Sequence, residues 1–159
     1  MSSPVTITNL HPRLRPAHKP LERVASRVFA GERKKGRADI ILAGTELLHD
    51  LNRKFRKKNK TTDVLSFGFG AGGRPDASGF WGEIYINLDV LRDEAKKQHS
   101  TLRDGVARRV VHGLLHVFGY DHQRTAEATV MTAREERYLR AAGISGAGET
   151  TRTRRRVNR

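Results

Sequence analysis

Residues 101–122 read TLRDGVARRVVHGLLHVFGYDH, and this stretch organises everything around it. Val106, Val110, Val111, Leu114, Leu115 and Phe118 recur at the i, i+3, i+4 spacing of an amphipathic helix. So many apolar positions in one helix predict an element in the middle of the fold, running from about Thr101 to Phe118. His112 and His116 stand four residues apart on it, so both imidazoles leave one face. Gly119 stops the helix and Tyr120-Asp121 turns the chain, which lets His122 swing back to the same point. Three nitrogens then occupy three corners of a tetrahedron. The fourth corner stays open, as in a catalytic rather than a structural zinc site.

The rest of the chain supports that helix. Val5 to Thr8 alternates like a short strand. Pro20 opens a helix through Leu21, Val24, Ala25, Val28 and Phe29, which Gly31 stops. Ala38 to Ala43 reads as a buried strand. Thr45 has the character of an N-cap for a helix carrying Leu47, Leu48, Leu51 and Phe55. A basic loop, Arg56 to Lys60, leads into a strand at Val64–Phe67. Gly-rich residues 68–79 form a loop, and Trp81 to Leu88 a further strand. Asp89 is placed to cap a short helix to about His99. A last helix, about Thr125 to Ala142, offers Ala128, Met131, Tyr138 and Leu139 to a core. Early strands and late helices predict an α+β fold: a small mixed β-sheet packed with helices around the His-bearing one. Residues 1–144 form one domain on this reading. Residues 145–159, rich in Gly, Thr and Arg, are expected to be a disordered basic tail.

Composition narrows the chemistry. With 159 residues the chain can bury roughly two-thirds of its unfolded surface as one domain. It has no cysteine, which removes disulfides and thiolate zinc ligands and leaves His and carboxylates. The N-terminus lacks a charged start followed by an apolar block, and no apolar run approaches the ~20 residues that span a bilayer. A cytoplasmic location without membrane contact is the expectation. Lys and Arg number 31 against 17 Asp and Glu, for a net charge of +14. Without residues 147–159 the balance is still 26 to 16, so the body is basic in its own right. A nucleic acid is the natural partner of such a surface.

What stands beside a metal decides its reaction. A zinc held by three neutral imidazoles lowers the pKa of bound water to about 7 and polarises a phosphoryl or carbonyl oxygen. Zinc peptidases of the HExxH type carry their general base directly after the first His. Here that position is Gly113, expected to permit close approach of a backbone or of substrate. Asp121 is open to two readings, a base or an acceptor that orients a ligand histidine. Arg56 offers a planar fork suited to phosphate oxygens, although charge alone does not separate it from Lys57 and Lys58. Asp63 is placed to hold either Arg56 or a ligand histidine.

The run from His112 to His122 resembles the HGxLHxxGYDH signature of the YbeY family, single-strand-specific endoribonucleases of bacterial ribosomal RNA maturation. Leu51-Asn52 with Phe55-Arg56, Thr62 to Phe67 and Gly82 to Ile86 resemble three further family segments, in order and spacing. The similarity spans roughly residues 5–143. It implies a zinc-hydrolase-like fold, with one Zn2+ on His112, His116 and His122 and functional roles for Arg56 and His116. It implies as partners single-stranded RNA, specifically the 3′ end of 16S ribosomal RNA on the small subunit, and a part in 70S ribosome quality control. Thr61 departs from the family's usual Pro, an exchange expected to loosen the loop after Arg56. Two other readings remain open: a zinc hydrolase on a non-RNA substrate, and an RNA-binding ribosome assembly factor whose metal is structural.

Overall fold

The computed structural model describes residues 2–144, so the basic tail of the preceding section lies outside the described residues. Nine elements follow one another: β1 (Val5–Asn9), α1 (His18–Gly31), β2 (Arg37–Ala43), α2 (Thr45–Arg56), β3 (Val64–Gly68), β4 (Phe80–Asn87), α3 (Leu88–Gln98), α4 (Leu102–Val117) and α5 (Thr125–Ala141). The sheet runs β1-β2-β4-β3. β1, β2 and β4 are parallel, and β3 joins the edge antiparallel to β4. The mixed α+β architecture is as the sequence predicts.

Alternation along the strands sorts the side chains onto two faces. Ala38, Ile40, Leu42, Ile84 and Ile86 face a core shared with α1, α3, α4 and α5. Ala43, Leu65 and Tyr85 face the other way, against Leu47, Leu48 and Leu51 of α2. α4 is central: Val106, Val110, Val111, Leu114 and Leu115 are wholly buried, and the helix packs against α1, α3, α5, β3 and β4. A Cβ on Gly113 would stand 2.6 Å from Ile84 Cγ2. The glycine therefore admits the Ile84 side chain of β4, not a backbone or a substrate, and sets how closely α4 lies on the sheet.

Two helix starts differ from expectation. Thr45 is the first residue of α2 rather than its cap; Gly44 occupies the cap position without a side-chain bond. The Asp89 carboxylate reaches across to accept the Thr45 N–H at 3.0 Å. Asp89 in turn does not cap its own helix, because Asn87 does, accepting the N–H groups of Asp89 and Val90 through Oδ1. Tertiary partners explain the exchange. Nδ1 of buried His11 accepts the N–H groups of Arg13 and Leu14, so Nε2 carries the proton and donates to Asp89 at 2.8 Å. That bond is the chief reason the Asp89 carboxyl lies below the usual carboxylate range. Thr101, expected to open α4, stands just before it as its cap and accepts from the Asp104 N–H.

Candidate metal centre

The end of α4 forms the site. The Gly119 N–H donates to the His116 carbonyl and the Tyr120 N–H to the Leu115 carbonyl. This closure puts Gly119 at φ +107°, open to glycine without strain. The chain reverses there, and His122 returns to the helix face that carries His112 and His116. One nitrogen from each ring lies within 4.8 Å of the others. The ring centroids are 4.7 Å (His112–His116), 4.8 Å (His116–His122) and 5.7 Å (His112–His122) apart. Among the described residues these three form the one His/carboxylate cluster of metal-binding geometry.

The donor set fits a zinc ion. Burial, then the neighbouring His112 and His122, push His116 down to about 4, so its imidazole is neutral and has a lone pair to give. Glu135 on α5 lies 2.6 Å from His112 Nδ1. With the proton on Nδ1 bonded to that carboxylate, Nε2 of His112 is left bare for a metal, the usual carboxylate–histidine arrangement. Nothing in the sequence singled out Glu135. It lies 23 residues beyond His112, on a different helix, at no motif spacing.

The turn is anchored from below. The Tyr120 hydroxyl donates to Glu32 Oε1 at 2.6 Å, the Tyr138 hydroxyl donates to Glu32 Oε2, and Arg134 lies 3.5 Å from that same oxygen. The Glu32 side chain is only 4% exposed, so a buried charge is shared among two hydroxyls and a guanidinium. Burial and the Glu32 bond push the Tyr138 phenol up to about 12, which keeps it a donor at any physiological pH. The acids marked in the sequence make bonds that the sequence did not single out. Asp121 accepts the backbone N–H of His122 at 2.7 Å, bracing the turn, while Glu135 takes the orienting role. Asp63 holds neither Arg56 nor a histidine. It accepts from Arg109 Nε at 2.9 Å, and the Arg109 fork also grips Glu94 through both carboxylate oxygens. Arg109, one turn before His112, thereby ties α4 to β3 and α3.

Arg56 shares a cleft with the three histidines. The cleft holds about 740 Å³, and Lys58, Lys60, Asp63, Ser66 and Asp121 are among its other walls. Arg56 donates to the Ser66 carbonyl at 2.7 Å and lies 5.3 Å over the Phe67 ring. That bond occupies one of its five donors. Lys57 takes the left-handed C-cap position of α2 (φ 56°) and is not among the cleft walls, so geometry separates what charge did not. Thr61 and its neighbours are tied into the following loop by hydrogen bonds. The Thr61 hydroxyl donates to the Thr45 carbonyl and accepts from Asn87 Nδ2, both at 3.2 Å, and buried Asn52 donates to the Lys60 carbonyl at 2.8 Å.

Known proteins share this chain's sequence pattern and fold. Residues 13–143 match the family described as Endoribonuclease YbeY. An Endoribonuclease YbeY of Anaeromyxobacter sp. (strain Fw109-5) is 37% identical over 145 residues, covering 90% of this chain and 74% of that protein. One of Ehrlichia canis is 38% identical over 105 residues, covering 66% of each. The solution structure of TM1509 from Thermotoga maritima shares the fold, with a TM-score of 0.61 at 24% identity, over 86% of this chain and 89% of that one. By sequence match, the chain belongs to the YbeY endoribonuclease family.

Proposed function

We propose that this protein is a zinc-dependent endoribonuclease that cuts single-stranded RNA. We further propose that it acts in the cytoplasm on the 3′ end of 16S ribosomal RNA and in 70S ribosome quality control. One observation carries the reading: three histidine nitrogens within 4.8 Å of one another open onto the same cleft as Arg56. His112, His116 and His122 would hold the ion. When bound there, zinc supplies Lewis acidity, drawing charge from a phosphoryl oxygen and making water a better nucleophile near neutral pH.

The chain's own groups do the rest. Glu135 fixes the His112 ring and tautomer. Burial keeps His116 neutral. Arg56, Lys58 and Lys60 draw a polyanion into the cleft, and the Arg56 fork binds charge that grows on the non-bridging oxygens as phosphorus is attacked. The position of a peptidase's glutamate is occupied by Gly113, whose Cβ site is filled by Ile84, so no side chain at that position reaches the cleft. The absence of a fourth ligand among the described residues favours an open coordination position over a structural metal.

The test is cleavage of labelled single-stranded RNA by metal-quantified protein. Arg56→Ala is expected to keep its zinc and lose roughly 100-fold in rate at saturation, the scale of a deleted oxyanion donor. Arg56→Lys recovers part of it, and Lys57→Ala loses little beyond affinity. His116→Ala loses both zinc and cleavage. Unchanged zinc in His116→Ala, or an Arg56→Ala enzyme that loses only affinity, contradicts the assignment.

A further inference from the structure

Among the described residues, four large apolar side chains stand exposed, and two are phenylalanines next in sequence to cleft residues: Phe55 (57%) before Arg56 and Phe69 (53%) after Gly68. Phe55 precedes Arg56 at the end of α2. Phe69 follows β3 and keeps its ladder bond, donating its N–H to the Trp81 carbonyl. Each is half of an edge-to-face pair, Phe55 with Phe67 (5.6 Å) and Phe69 with Phe80 (5.0 Å). Cations lie over three of the four rings: Lys54 5.4 Å over Phe55, Arg56 5.3 Å over Phe67 and Arg37 5.4 Å over Phe80. Arg56 joins this aromatic row to the cleft, since the guanidinium that covers Phe67 also bonds the Ser66 carbonyl on the open edge of β3.

Resting on the RNA reading above, we propose that Phe55 and Phe69 are stacking platforms for unpaired bases of a strand whose phosphate enters the cleft at Arg56. Exposed aromatic rings interleaved with cations match a single strand, whose bases are free to stack while its phosphates pair with Lys and Arg. Glu83 lies opposite Phe67 across the β3–β4 ladder and accepts from Tyr85 at 3.0 Å. A carboxylate there disfavours phosphate over the row and leaves the rings to bases. A duplex offers no such faces, because its bases are stacked on one another. The platform thus makes the site selective for single strands.

The test uses the zinc-loaded full chain and fluorescence anisotropy with a short 2′-O-methyl oligouridylate and an abasic oligomer of equal length. Wild type should bind the base-bearing oligomer at least about tenfold more tightly, the scale of one or two stacked bases. Phe55→Ala and Phe69→Ala should each lose roughly 5- to 100-fold on that oligomer. They should keep wild-type affinity for the abasic one, the same salt dependence and the same zinc content, because no charge is removed. Phe→Trp at either position should restore binding and Phe→Leu should not. Alanine variants that bind the base-bearing oligomer like wild type, or leucine variants that restore binding as well as tryptophan, overturn the platform while the nuclease reading stands. A wild type that binds neither oligomer and cuts no RNA overturns that reading, and the platform with it.

Discussion

Replacing Gly113 by alanine tests whether the helix-to-sheet distance sets the metal site. The new methyl carbon would stand 2.6 Å from Ile84 Cγ2 and 3.0 Å from Cδ1 and Cγ1. Carbon atoms in contact prefer about 3.5–4.0 Å, so a gap of roughly 1 Å must open. Ile84 has no exposed surface and sits on β4, hydrogen-bonded to strands on both sides, so α4 is the element that gives way. Overpacking of this kind costs about 1–3 kcal/mol, against up to about 1 kcal/mol gained from the better helix propensity of alanine. Net destabilisation of about 1–2 kcal/mol lowers Tm by roughly 3–6 °C in a domain of this size. The site should suffer more than the fold. His112 and His116 ride on the displaced helix, and zinc tolerates only about 0.2 Å of ligand error, so zinc affinity should fall at least about tenfold. Ile84→Ala, costly alone at about 2–5 kcal/mol, opens the space the methyl needs. The double variant should therefore be more stable than the sum of the singles by at least about 1 kcal/mol. Thermal melts and competition against a chromophoric chelator measure both effects. A Gly113→Ala protein that melts at or above wild type with unchanged zinc affinity, or strictly additive double-variant energies, refutes the packing argument.

Two further outcomes follow from the groups around the histidines. Glu135→Ala should lower zinc affinity by about 10- to 100-fold, with Glu135→Gln in between, since the amide still accepts from Nδ1 but carries no charge; equal affinities in a chelator titration would show that the carboxylate does not orient His112. The metal-free protein should be less stable at pH 5 than at pH 7. In the unfolded chain His116 takes up a proton near pH 6.5, whereas folding holds it down to about 4, so acidification through that window favours the unfolded state. Urea denaturation of chelator-treated protein at the two pH values measures this. The dependence should shrink in His116→Asn, and an identical dependence in that variant would assign it elsewhere.

The amino-acid sequence by itself determined α4 and its histidines. A 3.6-residue period, a stop at Gly119 and three imidazoles within eleven residues are local facts, and local geometry was enough to bring His112, His116 and His122 together. The strands were legible for the same reason, through short apolar runs bounded by Gly and charged residues. The supports of the site were not, because they are made by groups distant in sequence. Glu135 meets His112 only after α5 packs on α4, Glu32 meets Tyr120 across 88 positions, and Arg109 meets Asp63 across 46. Helix starts misled where a tertiary partner replaced the local one: Asp89 serves α2 rather than α3 because His11 and the Thr45 N–H reach it first. Charge marked the Arg56–Lys60 loop as a unit. Only the left-handed turn at Lys57, and the edge of β3 beneath it, decided that Arg56 faces the cleft. Spacing along a chain reports contacts within an element, whereas carboxylates and guanidinium groups find partners wherever packing removes water from around them.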